Sequence, residues 1–231
     1  MKKIAMVPCR GGSKGIPKKN IYPFNGKPLL YWNIKALLDY GQAEVYLNTD
    51  DAEIEKTALE YFGNLITIFN RSERTAKDTA TTVELVQEFV EKQDMDNEDI
   101  LIISQVTSPY LQPEDVRKAV DIIEHGKEKD DFNMLAGKYG SIQSVGYTHK
   151  FIYDYCGVCI NVKGPHKRRQ DWEGTLQRNG CLYVTTAGMI RRTASYTGGN
   201  LGQILQPHVW EIDSMGDLLK GEWEIGNTVK E

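Results

Sequence analysis

No acidic residue occurs in the first 38 positions of this 231-residue chain; the first is Asp39. The same stretch carries Lys2, Lys3, Arg10, Lys14, Lys18, Lys19, Lys27 and Lys35. Yet the formal charge of the whole chain is −4. A nucleic-acid-binding domain is more usually basic overall, with a broad basic face, so that class is not expected. One concentrated cationic patch on an acidic body suits a small phosphorylated ligand.

Long hydrophobic runs are also missing. No apolar stretch reaches about 18 residues, which excludes a helical membrane span. The opening "MKKIAMVPCRGG" loses its apolar character after Val7, so a secretory signal is not expected. No low-complexity segment, repeat or long linker is present, and the length suits one large domain or one domain with an insertion. Cysteine is scarce: Cys9, Cys156, Cys159 and Cys181 are too few for a disulfide framework and read as reduced thiols. Cys156 and Cys159 form a C-x-x-C, but "YDYCGVCINV" reads as a strand, on which residues three apart face opposite ways. Two packed thiols are therefore expected rather than a zinc or redox site.

What is present is an alternation of strands and helices. "KIAMVP" reads as a short buried strand. "PLLYWNIKALLDYG" places Leu30, Ile34, Leu37 and Leu38 at helical spacing, with Pro28 at its start and Gly41 at its end. "AEVYLNTDD" reads as strand and turn, "AEIEKTALEYFG" as a helix closed by Gly63, and "NLITIFN" as a third strand. "DTATTVELVQEFVEKQ" opens on a capping residue and lines up Val83, Val86 and Val90. "DILIIS" is a continuous apolar run, as a central parallel strand requires. "QPEDVRKAVDIIEHG" reads as a helix with Val116, Val120 and Ile123 inward. "CLYVTTAGMIRR" returns to strand and helix, and "ILQPHVWEIDSMGDLLKGEWEI" supplies a last strand and helix. The pattern predicts an α/β fold with a mostly parallel sheet flanked by helices. Ligands of such sheets bind beyond the carboxyl ends of the strands, so segments 9–20, 48–51 and 104–109 are expected to converge on one crevice. Residues from about 139 to 178 break the pattern. They are rich in aromatics and cations and read as an inserted strand-and-loop arm packed against a second subunit.

The segment "CRGGSKGIPKKN" follows the first strand. Glycines let backbone N–H groups turn toward an anion, and Arg and Lys add charge and directed hydrogen bonds to phosphate oxygens. Its spacing matches neither a P-loop nor a dinucleotide fingerprint. Near the other end, "WEIDS" holds Glu211 and Asp213, which on a strand point the same way and can share a hard cation.

Together, "VPCRGGSKGIPKKNIYPFNGKPLLYWNI", "LNTDDAEI", "DTATT", "SQVTSPYLQPEDV", "RRQDWEGTLQRNGCLYV" and "WEIDSMGDL" resemble, in order, the acylneuraminate cytidylyltransferase (CMP-sialic acid synthetase) family. The resemblance implies a single Rossmann-like domain over residues 1–231 with a dimerisation and sugar-binding arm at about 139–178. It implies a cytoplasmic homodimeric enzyme that joins CTP to a nonulosonic, sialic-type sugar acid and releases pyrophosphate with Mg²⁺. Arg10, Lys14 and Lys19 would meet the phosphates. Gly11, Gly12, Ser13, Asn20, Arg71 and Thr82 would bind the rest of the nucleotide. Gln105, Thr107, Ser108, Arg169 and Tyr183 would form the sugar side, and Glu211 and Asp213 the metal side. Thr107 and Ser108 also suit a helix cap, and Tyr183 suits a core position equally well.

Two departures stand out. Val106 replaces the usual proline of the "QPTSP"-like motif, and Glu211 stands where the family usually has aspartate. No acidic pair follows "DILIIS", which weighs against a sugar-1-phosphate nucleotidylyltransferase. "RGGSKGIPKKN" differs from the "RxxSTRLPxK" opening of the Kdo cytidylyltransferases. A Kdo-type enzyme and a CTP-binding regulatory homologue without turnover remain as alternatives.

Overall fold

The computed structural model describes residues 1–13, 15–77, 79–125, 139–148, 150, 152, 155–156, 159–161, 168, 174–207 and 211–228. Its first strand, β1 (Lys3–Cys9), lies inside the central sheet. Alternate residues serve opposite faces: Ala5 and Val7 enter one apolar cluster, Ile4 and Met6 the other. A strand segment buried on both faces must be apolar, and the buried run Ile4–Val7 is.

After the cationic loop comes a small hairpin, β2 (Pro23–Phe24) and β3 (Lys27–Pro28), and then α1 (Leu29–Tyr40). Gly41 closes α1 at φ 73°, the left-handed conformation that lets the chain turn back after a helix. β4 (Glu44–Thr49), α2 (Ala52–Phe62) and β5 (Thr67–Asn70) follow. Next are a short α3 (Glu73–Ala76), α4 (Thr82–Lys92), β6 (Ile100–Ser104) and α5 (Pro113–His125). All five residues of β6 are buried, as its unbroken apolar run requires. The rest comprises β7 (Ser141–Thr148), β8 (Thr175–Thr186), α6 (Ala187–Thr193), β9 (Leu201–Leu205) and α7 (Met215–Thr228).

Seven strands form one sheet in the order β5-β4-β1-β6-β8-β7-β9. β4 and β6 both pair parallel to β1, β5 pairs parallel to β4, and β9 parallel to β7. Only β8 runs against its neighbours. The expected α/β architecture with a mostly parallel sheet is therefore observed. One face carries the cluster with Leu30, Ile34, Ile54, Val116 and Val120 of α1, α2 and α5. The other carries Leu85, Val86, Phe89 and Ile190 of α4 and α6. Because β1 lies between β4 and β6, the strand order reverses direction there, which opens a crevice at the carboxyl end of the sheet.

Residues 145–148 and 175–178 pair with each other in the sheet as parts of β7 and β8. Most of the segment between them lies outside the described residues. "YDYCGVCINV" is not a continuous strand: Tyr155 and Cys156 occupy a turn, and Cys159 makes an isolated bridge. Cys156 is accordingly exposed and Cys159 half-buried, so the expectation of two packed thiols is corrected. The turn brings Cys156 out of any packed face. Cys9 and Cys181 are buried, and burial pushes the Cys9 thiol up to about 12. No helix among the described residues is long and apolar enough to cross a membrane.

Candidate active site

A cleft of about 630 Å³ opens at the carboxyl ends of β1, β5 and β6. Its lining includes Arg10, Ser13, Lys19 and Asn20 from the loop after β1, Arg71 after β5, and Thr81 and Thr82 at the start of α4. Gln105 and Thr107 after β6 and Asp213 before α7 also line it. Sequence reasoning had singled out all of these except Thr81. Its signal was present in "TTVE": Thr81 accepts a hydrogen bond from the Glu84 N–H while the Glu84 carboxylate accepts from the Thr81 N–H. That reciprocal cap fixes the end of α4 as one wall of the cleft.

The cationic loop is held in shape by its own side chains. Asn20, buried, donates from Nδ2 to the Arg10 carbonyl at 2.8 Å and so pins the two ends of the loop together. Gly11 N–H donates to Asp50 Oδ1 at 3.2 Å. Asp51 caps α2 by accepting from the N–H groups of Glu53 and Ile54. Segment 48–51 was expected to line the crevice. None of its residues is among the lining, because both acids are spent on bracing the loop and capping the helix. Gly11 belongs to that brace, and Gly12 is likewise outside the lining. Lys14 lies outside the described residues, as does Arg169.

The carboxylate side is built around Thr107. Its carbonyl accepts the Ile212 N–H at 2.7 Å and its hydroxyl donates to Glu211 Oε2 at 3.2 Å. Lys19 Nζ donates to the Ile212 carbonyl and to Asp213 Oδ1. Gly15 packs so closely on the Asp213 carbonyl that a Cβ there would overlap it. Gly180, at φ +69°, leaves the same kind of space for the Glu211 carboxylate. Burial raises the Glu211 pKa, and the charge of Asp213 raises it further. Residues 211–213 form no strand, so the expected strand geometry is corrected, and Glu211 is not among the lining residues. The charge of Asp213 nonetheless acts on it, and two hard oxygen donors that disfavour each other's charge fit a divalent cation such as Mg²⁺.

The remaining expected residues are placed deeper. Ser108 is buried and donates to the Asn179 carbonyl at 2.7 Å, so it supports the loop from beneath. Tyr183 is buried in the second apolar cluster, its ring edge-on to Tyr196 at 4.9 Å. Arg71 donates from Nε to the Asn48 carbonyl at 3.3 Å, and burial lowers its pKa. An arginine stays charged under such a shift.

A family model described as cytidylyltransferase matches residues 4–152. The chain is 32% identical over 191 residues to N-acylneuraminate cytidylyltransferase B of Danio rerio, which covers 79% of this chain and 41% of that protein. It is 35% identical over 223 residues to a pseudaminic acid cytidylyltransferase of Campylobacter jejuni, with 94% of each chain covered. The chain thus spans less than half the length of the N-acylneuraminate relatives it matches and nearly all of the pseudaminic acid one. Among solved structures it resembles a CMP:2-keto-3-deoxy-manno-octonic acid synthetase complexed with CTP, at TM-score 0.70 and 17% identity over 99% of this chain and 100% of that one. It also resembles a 4-diphosphocytidyl-2C-methyl-D-erythritol synthase, at TM-score 0.67 and 11% identity over 97% and 98%. At those identities the structural likeness speaks for the fold. The family match, running from the first strand through the loops after β1, β5 and β6, makes this chain a member of the cytidylyltransferase family.

Proposed function

We propose that the chain transfers the cytidylyl group of CTP to a nonulosonic, sialic-type sugar acid. The carrying observation is a cationic loop clasped to a carboxylate loop across one cleft, Lys19 to Asp213, in a chain related to enzymes named for N-acylneuraminate and pseudaminic acid. The anomeric hydroxyl oxygen of the sugar acid forms a bond to the α-phosphorus. The bond from that phosphorus to the bridging oxygen breaks, pyrophosphate leaves, and the hydroxyl proton passes to solvent.

Catalysis of this kind rests on positioning and charge neutralisation. Arg10, Lys19 and, by resemblance, Lys14 hold the phosphates, with Ser13 and the N–H groups of the loop beside them. Arg71, Asn20 and Thr82 hold the nucleoside end. Gln105 and Thr107, with Arg169 by resemblance, face the sugar acid. Glu211 and Asp213 would hold Mg²⁺, which supplies positive charge to the phosphate oxygens when bound. We also propose a homodimer: Ile152, Tyr155 and Ile160, between β7 and β8, are exposed apolar side chains that a second copy would cover. We further propose a cytoplasmic location, where CTP is available.

Pyrophosphate release from CTP and Mg²⁺ tests this across a panel of nonulosonic acids, Kdo and sugar 1-phosphates. Release is expected with a nonulosonic acid. Release only with Kdo or a sugar 1-phosphate, or none with CTP binding intact by calorimetry, would overturn the reading.

A further inference from the structure

Helix α4 breaks its own pattern at one position. Leu85, Val86, Phe89 and Val90 are buried apolar residues, and Glu88 is buried among them at 4% exposure. A carboxylate taken from water needs compensating donors. Glu88 accepts from the Ser72 N–H at 3.0 Å, the Ser72 hydroxyl at 2.9 Å, the Thr75 hydroxyl, and Lys92 Nζ at 2.6 Å. Three of those four donors belong to residues 72–75, the turn that follows Arg71.

Arg71 is a cleft residue on a long, flexible side chain. Its own N–H donates to the Thr49 carbonyl at 3.2 Å and its Nε to the Asn48 carbonyl, which ties it to the end of β4. The other flank of the residue is tied by Glu88. The same helix supplies Thr81, Thr82 and Leu85 to the cleft wall. Glu88 therefore joins that wall to the Arg71 segment from behind, without reaching the cleft. Asp50 and Glu88 are the carboxylates whose charge favours the partly buried guanidinium.

We infer that Glu88 is a positioning residue for the nucleoside end of the substrate, acting through Arg71. This rests on the reading that Arg71 contacts the nucleotide. An unanchored arginine would lose part of its contribution to order and be a poorer binder, whereas the phosphate loop, tied instead to Asp50 and Asp213, would be unaffected.

The test compares CTP with inorganic triphosphate as calorimetric ligands of the full chain. For Glu88→Ala we expect roughly tenfold weaker CTP binding, unchanged triphosphate binding, and a raised KM for CTP with kcat nearly constant. Glu88→Gln, which keeps the shape and one acceptor, should lie between. In an Arg71→Ala background the Glu88 effect on CTP should vanish, while any loss of melting temperature persists. Equal weakening of both ligands, or a Glu88 effect that survives in Arg71→Ala, would overturn the inference. If Arg71→Ala alone leaves CTP binding unchanged, the underlying reading of Arg71 fails instead. Should Glu88→Ala not fold, Glu88→Gln and Thr75→Val carry the same comparison.

Discussion

Lys19 Nζ lies 2.9 Å from Asp213 Oδ1, so the cationic loop after β1 is tied to a carboxylate 194 residues later. The pair spans the mouth of the cleft. The lysine side chain is mostly buried at 13% exposure and the aspartate open at 72%. A pair so exposed on one side contributes only about 0–1 kcal/mol to stability. On the proposed function its role lies with the ligand: the lysine would turn to a phosphate oxygen and the aspartate to a cation. Lys19→Ala should therefore melt within a few degrees of wild type but lose roughly 10²–10³ in kcat at saturating CTP. Steady-state kinetics beside a thermal melt check this, and near-normal turnover would remove Lys19 from the phosphate site.

Gly180 should tolerate no side chain. Its φ of +69° costs an alanine about 1–2 kcal/mol, and a Cβ there would overlap Glu211 Oε1. We expect Gly180→Ala to be destabilised and to need more Mg²⁺ for half-maximal activity, because the displaced carboxylate leaves its Thr107 partner. Glu211→Asp is one methylene shorter and should restore part of the metal response when combined with Gly180→Ala. A Mg²⁺ titration of the single and double variants decides; an unchanged titration in Gly180→Ala would mean that Glu211 is not set by this contact.

Much of this is legible in the sequence, and the limits have physical causes. Local periodicity gave α1, α2, α4 and α5, because a helix is written in residues three and four apart. It also gave β6, whose unbroken apolar run is the mark of burial on both faces. Strand partners are different. That β8 lies antiparallel between β6 and β7 is set by contacts far apart in the chain, which no local pattern records. The sequence puts segment 48–51 at the correct end of the sheet but does not show that it braces the loop instead of lining the cleft. Polar residues at strand ends look alike whether they meet a ligand or brace the loop that does. The buried polar residues of helices were missed for a related reason. Asn33 and Glu88 share helical faces with Leu30 and Leu85, and a polar residue inside an apolar stripe was the available signal.

Asn33 shows what such a residue does. It is fully buried on α1 and donates from Nδ2 toward Ser104 Oγ at 2.8 Å and the carbonyls of Gln105 and Ser108 at 3.2 and 3.1 Å. It thereby fastens the loop carrying Gln105 and Thr107. Asn33→Ala leaves these acceptors buried without the amide and should cost about 1–3 kcal/mol in urea denaturation. The loosened loop should also raise KM for the sugar acid while leaving KM for CTP nearly unchanged. If both constants move together, the loop is not specific to the sugar side.

Glu88 also predicts an acid dependence. Burial acts to raise its pKa, but the hydrogen bonds from Lys92, Thr75 and Ser72 outweigh it and hold the carboxylate down to about 2, against an ordinary 4.5. A group depressed in the folded state stabilises the protein when ionised in both states. That contribution is complete above the unfolded value of 4.5 and is lost as pH falls toward 2. Wild type should thus lose stability steeply across that window. Glu88→Gln has no charge to protonate, so it should start less stable at neutral pH and decline less over the same range. Urea midpoints measured at half-unit intervals between pH 5 and the acid limit of folding, for both proteins, give the comparison. Parallel curves would show that the buried carboxylate is not held ionised by residues 72–75 and Lys92.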